Sequence, residues 1–129
     1  MTLSLHHEFP ASTRLVVHVG GRLDAMTFGE FDEAMLELLP RLADGGTVVV
    51  DLAGLEYVSS PGLRSFARIR NSMRARHGHT LLLNPQPQVR KVFDIVKAVP
   101  VSEVFASTQE LDAYLDRMQR QITEGDDDA

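Results

Sequence analysis

Five consecutive residues, Ser59-Ser60-Pro61-Gly62-Leu63, hold the side chains best placed for chemistry in this sequence. Proline has a fixed φ and no N–H, so Pro61 belongs at the first position of a helix. That makes Ser60 the N-cap and sets its hydroxyl at the positive end of the helix dipole. A phosphate placed there would meet backbone N–H groups. The local pattern leaves two readings open: Ser60 only caps a helix, or it marks a position favourable to a phosphate. It does not read as a hydrolytic nucleophile, because Val58 stands where a nucleophile elbow has glycine and no nucleophile–base context accompanies it.

Arg64, Arg68, Arg70, Arg74 and Arg76 follow in a segment without acids, whereas Asp24, Glu30, Asp32, Glu33 and Glu37 crowd an earlier one. At ~100° per residue, Arg64 and Arg68 share a polar side with Asn71 and Ser72, which suits either an acidic partner beside Ser60 or a solvated face. Arg70 projects toward the apolar sector and reads as a snorkelling rim residue. Asp51 reads as a turn hydrogen-bonder; Asp24 fits that role or a place bordering a partner surface. His6-His7 and His77-x-His79 lack the further convergent ligands of a metal site, so no metal is expected. Gly20-Gly21 reads as a turn, since no phosphate-loop Lys-Ser/Thr follows it.

These residues need elements to position them. Leu3, Leu5, His7 and Phe9 alternate with polar residues, as do Leu15, Val17 and Val19, giving two strands around a Pro10–Thr13 turn. Thr27 and Glu30 form a capping-box pattern for a helix carrying Phe28, Phe31, Met35, Leu38, Leu39 and Leu42, which Pro40 kinks or ends near Leu39. Thr47–Leu52 is a β-branched run suited to a central strand with helices above and below it. A second helix runs from about Pro61 to Arg76 with Leu63, Phe66, Ile69 and Met73 inward. Thr80–Leu83 is a strand, and Pro87 opens a third helix with Val89, Val92, Phe93 and Val96. Val101–Phe105 makes a last strand, and Ser107 with Glu110 caps a last helix carrying Leu111, Tyr114, Leu115, Met118 and Ile122. The order β-β-α-β-α-β-α-β-α implies an α/β domain with a mixed, mostly parallel sheet, flanking helices and an antiparallel first edge strand.

Composition bounds the function. The chain's 129 residues make one domain, expected over 1–121, followed by an acidic solvated tail at 122–129. Removing Glu124, Asp126, Asp127 and Asp128 from the net charge of -5 leaves -1 for the body. A general nucleic-acid binder needs a basic face instead. Cysteine is absent, which excludes disulfides, thiolate nucleophiles and cysteine-based zinc sites. No secretory segment opens the chain and no apolar run approaches the ~20 residues that span a bilayer, so a cytoplasmic protein without membrane insertion is expected.

Gly21-x-Leu23-Asp24, Val48–Leu55 and Tyr57-Val58-Ser59-Ser60-Pro61-Gly62-Leu63 resemble, in order and spacing, the STAS domain family, in particular its stand-alone anti-sigma factor antagonists. The resemblance runs from about residue 3 to residue 121, with Gly78–Asn84 and Val104-Phe105 in the later expected places. It implies a non-enzymatic binding module without cofactor, whose acceptor serine, two residues before the Gly-Leu pair, is Ser60. It also implies a partner serine kinase with a histidine-kinase-like ATP-binding fold that doubles as the anti-sigma factor, and a serine phosphatase. The partner surface would hold Asp24, Ser59, Ser60, Pro61, Gly62, Leu63, Arg64 and Arg68. A phosphate adds about -1.5 to -2 charges, and burying it unpaired in a contact costs several kcal/mol, so the modified form is expected to dissociate without movement of the fold. Two positions depart from the usual pattern: Ser59 replaces a frequent Asp, and Pro61 replaces Ser or Ala. They motivate an alternative, an accessory subunit of a membrane lipid-transport ATPase with no kinase cycle.

Overall fold

The alternation of Leu15, Val17 and Val19 places all three on one face, where each is at most 2% exposed, and this face is the floor of the core. The computed structural model describes residues 2–98 and, with helical backbone, Ala113, Leu115, Asp116, Arg117, Gln119 and Arg120. Its elements are β1 (Leu3–Ala11), β2 (Arg14–Leu23), α1 (Phe28–Leu38), a 3-10 turn (Leu39–Arg41), β3 (Thr47–Val58), α2 (Ser60–Ala75), β4 (His79–Leu83) and α3 (Pro87–Ala98). The strands form one sheet in the order β1-β2-β3-β4. β1 runs antiparallel to β2, while β2–β3 and β3–β4 are parallel. The expected order therefore holds through the third helix. The expected last strand, Val101–Phe105, and most of the last helix lie outside the described residues, although Leu115 is buried.

Pro40 acts as expected. α1 stops at Leu38, the 3-10 turn contains the proline, and Leu42 leaves in extended geometry with its side chain still buried. Three expectations are corrected. Gly20-Gly21 is not a turn but part of β2, at a register shift against β3. Gly21 has φ +86°, and a Cβ there would stand 2.1 Å from the Thr2 carbonyl oxygen, so strand pairing with β1 requires glycine. β3 does not end at Leu52; it continues to Val58 because Leu55 and Val58 still point into the core. Finally, among the described residues one apolar core forms on a single face of the sheet. Val48 and Val50 join Phe31, Phe66, Ile69, Met73, Val89 and Val92 there. Val49 is buried outside that cluster, and Leu81 and Leu83 on the opposite face are 50% and 44% exposed.

Beyond Asp51, β3 has no β4 partner. Glutamine amides take over part of that edge: Gln86 donates to the Ala53 carbonyl (2.9 Å) and Gln88 to the Glu56 carbonyl (3.0 Å). The edge carbonyls are thus satisfied without a further strand at those positions.

Candidate functional site

The parallel pairing of Leu23 with Val58 sets the ends of β2 and β3 side by side. Ser59 follows in extended geometry, φ -109° and ψ -179°, and its N–H donates to the Leu23 carbonyl (3.0 Å). Its own carbonyl accepts from the Leu63 N–H (3.0 Å), the first bond of α2. Ser59 is therefore the N-cap, and Ser60 is the first helical residue with Pro61 second, one position earlier than the sequence pattern suggests. The Ser59 side chain makes no capping hydrogen bond and its hydroxyl is buried.

Packing of this turn is tight. A Cβ on Gly62 would lie 2.8 Å from the Leu23 carbonyl oxygen and 2.9 Å from both Leu23 Cγ and Val58 Cγ2, so a side chain cannot enter. Ser65 is fully buried and its hydroxyl donates to the Pro61 carbonyl (3.2 Å). Ser59 and Ser60 are 6% and 2% exposed. Any reagent that reacts with either hydroxyl therefore requires this turn to open first.

The other expected site residues separate into two groups. Pro61 and Gly62 are buried, Leu63 is half-buried and Arg64 is exposed, all on the first turn of α2. Arg68 is not a free cation. Its guanidinium donates to Asp32 of α1 (2.5 Å) and to the Ser65 hydroxyl (3.1 Å), tying the two helices together. Arg70 is exposed. Asp24 organises the β2–α1 connection: its Oδ1 accepts from the Met26 N–H (3.0 Å) and its carbonyl from the Phe28 N–H (2.9 Å). Thr27 does not form the expected capping box. Its hydroxyl accepts from the Asp24 N–H (3.0 Å) and donates to the Arg22 carbonyl (2.8 Å), so it closes the loop instead.

Two features were not foreseen. Met26 stands 90% exposed on the loop that leaves Leu23, directly after the strand end that pairs with Val58. Only its apolar character inside a polar turn marks it in the sequence. Arg76, expected merely as one more cation, donates to the Leu39 and Leu42 carbonyls and to Asp44 (3.0 Å), satisfying the chain end of α1 from α2.

Asp51 lies seven residues up β3 from Val58, in a separate cross-strand pair. It accepts from His18 Nδ1 (2.9 Å) and from the Ala53 N–H (3.1 Å), and His18 also meets Glu8 (3.4 Å). Hydrogen bonds to Asp51 and Glu8 raise the His18 imidazole above its usual range against a smaller opposing effect of burial. Burial pushes the Asp51 carboxyl up, but hydrogen bonds from His18, Ala53 and Asn84 outweigh it and leave it lowered. Asp51 is thus not the turn residue expected: it lies within β3 and pairs across the sheet with His18 of β2. Among the described residues no group of three or more His, Asp or Glu side chains converges to hold a metal ion, and no helix is long and apolar enough to cross a membrane.

The paired ends of two parallel strands, a serine pair at the carboxyl end of β3 and a glycine in the first turn of α2 packed against both strands together define the architecture. Residues 6–111 match the family model described as the STAS domain. The chain belongs to the STAS domain family. Within the family, a 48-residue stretch is 42% identical to the "Putative anti-sigma factor antagonist BtrV" of Bordetella bronchiseptica; it spans 37% of this chain and 41% of that protein. The STAS fold here superposes on the unphosphorylated anti-sigma factor antagonist SpoIIAA with a TM-score of 0.65 and 23% identity, covering 75% of this chain and 84% of that one. For the phosphorylated form of SpoIIAA, a Bacillus cell fate determinant, the TM-score is 0.60 at 22% identity, covering 75% and 86%. The same STAS fold thus accommodates both states of that relative.

Proposed function

We propose that this STAS domain is an anti-sigma factor antagonist of a partner-switching pathway. It binds an anti-sigma factor that is also a serine kinase when Ser60 is unmodified, and phosphorylation of Ser60 releases it. The observation that carries the reading is the position of Ser60: first residue of α2, directly after the carboxyl end of β3 and one helical turn before the exposed Arg64. A serine phosphatase restores the binding form.

The chemistry follows from that position. A phosphate of about -1.5 to -2 charges cannot stay where Ser60 is 2% exposed, because an unpaired buried charge costs several kcal/mol. The modified side chain must turn outward, into the surface that the partner would cover. There the α2 N-terminus favours it electrostatically, while the partner contact is broken by its bulk and charge.

The experiment is a binding titration of the cognate anti-sigma kinase against the native chain, Ser60→Ala and Ser60→Asp. Native and Ser60→Ala should bind alike and Ser60→Asp at least tenfold more weakly, about 1.4 kcal/mol. Equal affinities for all three, or retention on an ABC-type ATPase in place of a soluble kinase, would overturn the proposal.

A further inference from the structure

Val58 is the last residue of β3 and stands immediately before Ser59-Ser60. On one side it pairs with Leu23. On the other, where β4 has already ended, it is held by a residue sixty-one positions later. Gln119 Oε1 accepts from the Val58 N–H (3.0 Å), and Gln119 Nε2 donates to the Val58 carbonyl (2.8 Å) and to the Leu115 carbonyl (3.1 Å). One amide thereby engages both backbone groups of a single strand residue, as a neighbouring strand would. Gln119 is 2% exposed, and Leu115, one helical turn earlier, is 1% exposed and part of the core. Pulling the amide away would leave polar groups of both residues buried without their partners, which opposes opening.

We propose that Gln119 is a latch on the acceptor turn. Carried with Leu115 on the described helical residues between 113 and 120, it fixes Val58 and so keeps Ser60 shielded; release of those residues exposes Ser60 to modification. Gln119 is a positioning residue, acting through Val58. A partner that pulls on or steadies Gln119 and Leu115 would then set the rate of Ser60 phosphorylation. This regulatory role rests on Ser60 being the acceptor, while the latch itself is tested without any kinase.

The absence of cysteine makes that test direct, since Ser60→Cys introduces the only thiol in the chain. Its rate of reaction with a neutral maleimide under native conditions reports how often position 60 opens. Adding Gln119→Ala should raise that rate about tenfold, and Gln119→Glu, which keeps the acceptor for the Val58 N–H but loses the donor, should give an intermediate rate. Val17→Ala, a core substitution in β2 brought to the same global stability with urea, separates local release from general loosening. The latch predicts that Gln119→Ala accelerates labelling more than Val17→Ala at matched stability. Unchanged labelling in both Gln119 variants, or equal acceleration by Val17→Ala, overturns it. Failure of the Ser60 assignment has a different signature: kinase transfers no phosphate to Ser60 while the thiol result stands.

Discussion

Replacing Gly62 by alanine puts a methyl group against the ends of two strands. The new Cβ would be 2.8 Å from the Leu23 carbonyl oxygen and 2.9 Å from Leu23 Cγ and Val58 Cγ2, all closer than real Cβ contacts. Two of these are core side chains that are fully buried, and the third is backbone, so nothing flexible can yield. Overpacking of this kind costs about 1–3 kcal/mol, against a gain of up to about 1 kcal/mol from restricting the unfolded glycine. The net expectation is a loss of about 1–2 kcal/mol. In a urea titration the midpoint should fall by about 0.5–1 M with the slope unchanged. Gly29, in the first turn of α1, is the internal reference because a Cβ there meets nothing within 4 Å. Gly29→Ala should be neutral or stabilise by a few tenths of a kcal/mol to about 1 kcal/mol. A Gly62→Ala protein as stable as the native one, or a Gly29→Ala protein that loses more, would refute the packing argument.

The His18 pair makes stability depend on pH. Its hydrogen bonds to Asp51 and Glu8 raise His18 above the ordinary 6.5, so its contribution is complete below that value and is lost as pH rises through the raised one. Asp51, lowered from 3.8, contributes above its ordinary value and loses that contribution as pH falls through the lowered one. His18→Ala should therefore cost more at about pH 5.5 than at about pH 8.5 in urea titrations. With the side chain 40% exposed, the difference is of the order expected for exposed pairs, about 0.2–1 kcal/mol; an equal cost at both pH values contradicts the pairing. Arg76→Ala should destabilise by about 1–3 kcal/mol because the Leu39 and Leu42 carbonyls lose a charged donor. Asp44→Ala, which removes only an 84% exposed carboxylate, should stay within about 0.5 kcal/mol, and equal effects from the two would show that the carbonyl contacts are unimportant.

Much of the framework was legible because burial leaves periodic marks. Leu15-Val17-Val19 alternate, Phe66-Ile69-Met73 recur at helical spacing, and Pro40 and Pro87 mark helix ends as proline's geometry requires. The failures have equally specific causes. Gly20, Gly21 and Gly54 look like turn residues, yet they lie within paired strands: a Cβ on Gly54 would stand 3.3 Å from Gly20 Cα, and only small residues fit where β2 and β3 shift register. The Thr27–Glu30 spacing satisfies a capping box, but the Thr27 hydroxyl has nearer partners in Arg22 and Asp24. Arg68 looked available for a partner because sequence spacing cannot show that Asp32 of another helix lies across from it. The strand-to-helix turn that holds Ser59 and Ser60 was legible, whereas its burial and the Gln119 contact were not, since both depend on residues far apart in the chain.

The most direct test of the central claim is site-resolved mass spectrometry of the chain after incubation with ATP and the proposed anti-sigma kinase. The expected result is a single phosphate on Ser60, absent from Ser60→Ala. A phosphate on another residue, or undiminished labelling of Ser60→Ala, would contradict it.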